Sequence, residues 1–286
     1  MSPLTALLAL HLAVALFGLA GLFGKTLELS PLVIVLGRTM VAAVALGIAV
    51  IVRHERLGRI EVSLMLNGAI LALHWVTFFL AIQLSSVAIG LLGYAGFPLF
   101  TLLIERRGRL RGATRVEWAT MALVVAGFAL LVRHLSWSDD AVQGVALGAV
   151  SGVTFAWLAV RNRALVATHR AMGLAFWQNA WAATWLVVAT VPIASTLAPP
   201  TLEEVGGLVT LGALCTALAH TLFIASLRRI SAHTASVIAA LEPVYGIGLA
   251  ALLLDEMPGT REVLATVLLL TAAVLASHRA AVAPSP

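Results

Sequence analysis

Charge is scarce in this 286-residue chain: Asp, Glu, Lys and Arg make up 11% of it, against roughly a quarter in an ordinary soluble domain. Too little charge is present to cover a globular surface, so a soluble enzyme, a nucleic-acid binder and a disordered protein are excluded. Cysteine is nearly missing. Cys215 stands alone in an apolar run, which rules out an intrachain disulfide and makes it a small packing residue. There is no His-Glu-x-x-His, no paired cysteine motif and no Gly-x-Ser-x-Gly. Neither a metal site nor a hydrolase elbow is therefore expected, and no cofactor is implied. Gly24-Lys25-Thr26 imitates the end of a phosphate-binding loop, but Leu19 stands where the first glycine is required and no strand precedes it. ATP-driven pumping is not expected.

What is present is apolar. Hydrophobic residues make up 61% of the chain, and the mean hydropathy is +1.02. Ten runs of about 20 residues, the length that spans a bilayer, lie roughly at 4–23, 31–52, 62–82, 86–104, 117–135, 142–160, 172–192, 207–227, 233–254 and 262–278. Lipid offers no partner to a backbone amide, and these runs do not alternate as barrel strands do, so helices are expected. The first run is long for a signal peptide and is not preceded by basic residues, so it reads as a retained helix.

The net charge of +5 comes from arginines clustered between the runs. With the N-terminus on one side, that side carries 14 Lys and Arg and the other side 3. The positive-inside rule then places both termini in the cytoplasm. Lipid and a small-molecule substrate are the expected partners, nucleic acid is not, and a monomer is compatible with the sequence.

The halves resemble each other. An offset of 145 places Phe78 on Phe223, Pro98 on Pro243 and Glu117 on Glu262; an offset of 138 places Phe17 on Phe155 and Lys25 on Arg163. Five runs per half invert the second repeat relative to the first. The expected fold is an all-α membrane protein of ten transmembrane helices in two inverted five-helix repeats, 1–138 and 139–286. Such repeats place a substrate site near the midplane.

Ser85-Ser86 and Ile230-Ser231 each precede a run with a mid-helix proline, and Leu241-Glu242-Pro243 is followed by Leu252-Leu253-Leu254-Asp255-Glu256. With Arg38 in the second run, these features resemble the EamA-type drug/metabolite transporters. The His and aromatic residues of the third run, with Phe97-Pro98, look most like the YddG-type amino-acid exporters. The resemblance implies a secondary transporter in a bacterial inner membrane, not an enzyme, exporting amino acids, aromatic ones included.

Candidate cavity residues follow from shared helix faces. Asn67, His74 and Phe78 recur at helical spacing on the third run. Tyr94 and Phe97 lie on the fourth, Trp157 on the sixth, His220 on the eighth, and Glu242 and Tyr245 on the ninth. Pro98 and Pro243 are candidate hinges, because each removes a helix hydrogen bond. Arg38 is expected to snorkel to the surface or to join a structural ion pair, with anchoring of a substrate carboxylate as the alternative. Gly144, Gly148 and Gly152 form a face for close helix approach. Trp177, Trp181 and Trp185 read as packing or lipid-facing. Two alternatives stand: a cationic multidrug exporter of the same fold, needing a carboxylate such as Glu242, and a membrane-embedded hydrolase, needing a Ser–His pair within hydrogen-bond reach.

Overall fold

The computed structural model describes residues 2–55, 57–58, 61–105, 114–131 and 139–280. Among them every regular element is helical. Arg56, Arg59, Arg106, Arg107, Arg109, Arg111 and Arg133, which contribute to the expected charge asymmetry, lie outside the described residues.

Helix starts are set by polar caps and prolines. Ser2 caps α1 (Pro3–Thr26) and Ser30 caps α2 (Pro31–Val52), each with proline in the first turn. After α3 (Val62–Leu84), Ser86 caps α4 (Val87–Tyr94) through the Ile89 amide at 3.1 Å. Next come α5 (Phe97–Glu105) and α6 (Arg115–Leu131). Asp139 caps α7 (Asp140–Leu165), and α8 (Ala171–Thr190) follows. Thr201 and Glu204 form a capping box on α9 (Leu202–Gly212). That helix runs through a wide π turn, Ala213–Leu218, into α10 (Ala219–Ser226). The chain ends with α11 (Ala232–Ala239), α12 (Glu242–Leu253) and α13 (Thr260–Ala280).

Six helical stretches among the described residues are long and apolar enough to cross a membrane. Helix α2 shows why lipid is their solvent. Ala42, Leu46 and Val50 face inward, while Met40, Val44 and Ile48 stand at least half exposed on the opposite face. An apolar stripe turned outward on a helix that is apolar all round is stable only against hydrocarbon.

Packing pairs the halves in a regular way. Helix α2 packs on α8, and α6 on α13; α3 packs on α7, as α1 does on α10. The glycine face of α7 meets α4 as expected. A Cβ on Gly148 would stand 2.8 Å from the Tyr94 amide nitrogen, and one on Gly152 would stand 2.8 Å from the Tyr94 carbonyl oxygen. Trp177 and Trp185 donate their indole N–H groups to the carbonyls of Leu57 and Met65, at 3.0 and 3.1 Å. That stripe therefore ties α8 to the start of α3, in line with a packing role.

Candidate functional site

A cavity lies where the two halves meet. It encloses about 520 Å³ including its open mouth, but it is narrow, with about 30 Å³ of room for water-sized occupants. Its wall draws on α1, α2, α3, α4, α7, α10 and α12.

Arg38 lines this cavity and is 1% exposed. It neither snorkels nor forms an ion pair among the described residues, which corrects the expectation from sequence. Its guanidinium lies over the Trp75 ring, 4.0 Å from the centroid, a cation–π contact that partly replaces lost hydration. Its Nε donates to Thr216 Oγ1 at 2.9 Å, and a terminal nitrogen donates to the Cys215 carbonyl at 3.4 Å. Both partners sit in the π turn of the α9–α10 rod. Thr216 Oγ1 in turn donates to the Leu211 carbonyl at 2.8 Å, five residues back. The widened turn breaks the regular backbone ladder where a cation needs an acceptor.

Aromatic rings form the rest of the wall. Phe17, Phe78, Phe155 and Phe223 all line the cavity. Phe155 sits at the centre, with centroids 5.2 Å from Phe223, 5.2 Å from His74, 5.5 Å from Tyr94 and 5.1 Å from Phe97. These spacings suit offset or edge-on aromatic packing. His220 also lines the cavity, and its Nδ1 lies 3.3 Å from the Asn179 amide nitrogen. The amide nitrogen can only donate, so Nδ1 accepts there.

Two interrupted helices deliver the remaining polar groups. Helix α4 ends at Tyr94, and α5 restarts at Phe97 with Pro98 second; α11 ends at Ala239, and α12 starts at Glu242 with Pro243 second. At each break a tight turn replaces the helical bond. The Leu99 amide donates to the Gly96 carbonyl at 3.1 Å, and the Val244 amide donates to the Leu241 carbonyl at 3.0 Å. The two turns lie at the same offset of 145 as the prolines. Glu242, in the first turn of α12, benefits from the positive helix end. Tyr94 lines the same cavity from the end of α4.

Five of the residues expected from sequence come together here: His74, Phe78, Tyr94, His220 and Glu242. Four do not line the cavity. Trp157 is 39% exposed and Tyr245 38%, both turned outward on their helices. Phe97 is buried one layer back, stacked on Tyr94 at 4.8 Å. Asn67 is buried, with neither amide atom hydrogen-bonded. Sequence reading missed Phe17, Phe155 and Phe223 as wall residues. The repeat offsets held the signal, because a wall built from Phe78 implies its counterpart Phe223, and Phe17 implies Phe155.

A Ser–His pair does exist: Ser151 Oγ lies 2.8 Å from His74 Nδ1. The same nitrogen is 3.0 Å from the Ser151 carbonyl. A carbonyl only accepts, so Nδ1 carries the proton and offers no lone pair to the hydroxyl. Ser151 is fully buried and outside the cavity wall. The pair anchors His74 to α7. Accordingly, a fluorophosphonate probe should not label the wild-type protein. Labelling that Ser151→Ala abolishes would restore the hydrolase reading.

Residues 142–278, just under half of the chain, match the EamA-like transporter family. No curated protein matches the sequence. One solved crystal structure superposes with a TM-score of 0.72 at 19% identity, covering 99% of this chain and 100% of its own. At that identity the likeness is one of fold, and it extends over both halves.

Proposed function

We propose that this chain is a secondary transporter of the drug/metabolite superfamily that exports small amphiphilic metabolites, foremost amino acids and aromatic ones among them. In this reading ten spans form two inverted five-helix repeats, 1–138 and 139–286, which rock about the central cavity in a bacterial inner membrane with both termini in the cytoplasm. The family match of the second half supports the class. The reciprocal packing of α2 with α8 and α6 with α13 supports the inverted repeat, because each pair maps onto itself when the halves exchange.

The observation that carries the reading is the cavity wall. Phe17 with Phe155, and Phe78 with Phe223, are counterparts in the two repeats and surround one space. A site made of matching halves can open to either side by the same motion. Tyr94 and Glu242 stand at breaks in the interrupted helices, where Pro98 and Pro243 allow the rods to bend. The narrowness of the cavity fits a state from which these rods must part to admit substrate. Arg38 disfavours a cationic drug in the same space.

The test is counterflow. Liposomes containing the purified protein and loaded with unlabelled phenylalanine should accumulate labelled phenylalanine, then threonine and methionine, without a pH gradient. Folded protein that accumulates none of these under any gradient would end the amino-acid reading.

A further inference from the structure

We infer that Arg38 and Glu242 act together as a filter for zwitterions, Arg38 holding a substrate carboxylate and Glu242 with Tyr94 receiving its ammonium group. This deepens the amino-acid transporter reading and rests on it.

Arg38 is buried with no acidic partner among the described residues. A cation in the membrane interior is costly and needs partners. Trp75 supports the face of its guanidinium, and Thr216 and Cys215 take hydrogen bonds from two of its nitrogens. A guanidinium has five N–H donors in a planar fork. The remainder of that fork belongs to a side chain in the cavity wall. A carboxylate is the group that matches a free guanidinium edge, through paired charge-assisted bonds. The supports hold the fork in place before any ligand arrives.

The opposite charge comes from the other half of the chain. Glu242 lines the same cavity, on α12, as does Tyr94 on α4. No direct ion pair joins Arg38 and Glu242 among the described residues. The cavity wall thus carries one guanidinium and one carboxyl group, with no ion pair between them among the described residues. A neutral solute would offer neither group a charged partner. A simple amine would satisfy Glu242 and meet Arg38, and a simple acid would do the reverse. A molecule with both charges at one end and an apolar side chain satisfies all three parts of the wall.

The experiment uses full-length protein in detergent, with tryptophan emission reporting titrations of three ligands. Phenylalanine carries both charges, phenethylamine lacks the carboxylate, and 3-phenylpropionate lacks the ammonium. Wild type should bind phenylalanine at least about tenfold more tightly than either analogue, as expected for loss of one charge-assisted contact. Arg38→Lys, which keeps the charge but loses the planar fork, should weaken the preference over phenethylamine while keeping most of that over 3-phenylpropionate. Glu242→Gln should do the opposite, and it decides the matter alone if Arg38→Lys does not fold. A purely structural role for either residue would lower all three affinities in parallel and overturn the inference. Equal wild-type affinities would overturn it too. Phenylalanine counterflow by the same wild-type protein reports separately on the transporter reading, which survives if only the crossed pattern fails.

Discussion

Gly148→Leu should leave little or no monodisperse protein after purification. A Cβ at this position would sit 2.8 Å from both the Gly93 carbonyl carbon and the Tyr94 nitrogen. These are backbone atoms, which cannot swing aside as the end of a side chain can. Overpacking a core ordinarily costs about 1–3 kcal/mol, and a full leucine against backbone should reach or exceed the upper end. Helix association in lipid depends on such close approach, because apolar side chains gain little by leaving hydrocarbon for one another. Size-exclusion chromatography and thermal melting read the outcome. Gly206→Leu is the control, since nothing lies within 4 Å of a Cβ there, and its melting temperature should match wild type. An unchanged melting temperature for Gly148→Leu would mean that α4 and α7 do not approach as closely as described. The same contact fixes Tyr94 at the cavity, and Gly148→Ala, which adds only the Cβ, should lower the melting temperature less than Gly148→Leu.

The second large effect is expected at Phe155. Its ring contacts those of Phe17, His74, Tyr94, Phe97 and Phe223, and it lines the cavity itself. Phe155→Leu keeps an apolar side chain but removes the ring. Each favourable aromatic pair is worth about 0.5–1.5 kcal/mol beyond burial, so kcat/KM for phenylalanine should fall about tenfold, while threonine counterflow changes less than about threefold. Phe97→Ala should act differently. Phe97 touches Tyr94 and Phe155 from behind, so its loss should reduce all substrates alike. Counterflow with both substrates separates these patterns. An equal loss for phenylalanine and threonine in Phe155→Leu would remove the aromatic box from the account of selectivity.

Much of the architecture was legible in local sequence. Ser2-Pro3 and Ser30-Pro31 mark helix starts by chemistry that acts within one turn. Pro98 and Pro243 mark the helix breaks, because a residue without an N–H interrupts the ladder wherever it lies. Gly144, Gly148 and Gly152 announce a close helix contact by their spacing alone. His74, Phe78, Tyr94, His220 and Glu242, each a polar or ring-bearing residue near the middle of its run, line one cavity.

Tertiary structure decided which way each helix faces. In water a helix turns its apolar stripe inward, so the pattern reveals the rotation. Here lipid and protein interior are both apolar, and the stripe carries little information. Trp157 and Tyr245 were therefore indistinguishable in sequence from wall residues, yet they face outward, while Phe155 and Phe223 face inward. Arg38 shows the same limit. Its position about seven residues into α2 allowed it to reach the surface, and only the packing of α2 against the π turn and Trp75 gave it partners inside. Composition, caps and prolines determined where the helices lie and where they break, because those signals act along the chain. The rotation of each helix, and with it the chemistry of the cavity, waited on contacts between residues as far apart as Arg38 and Thr216.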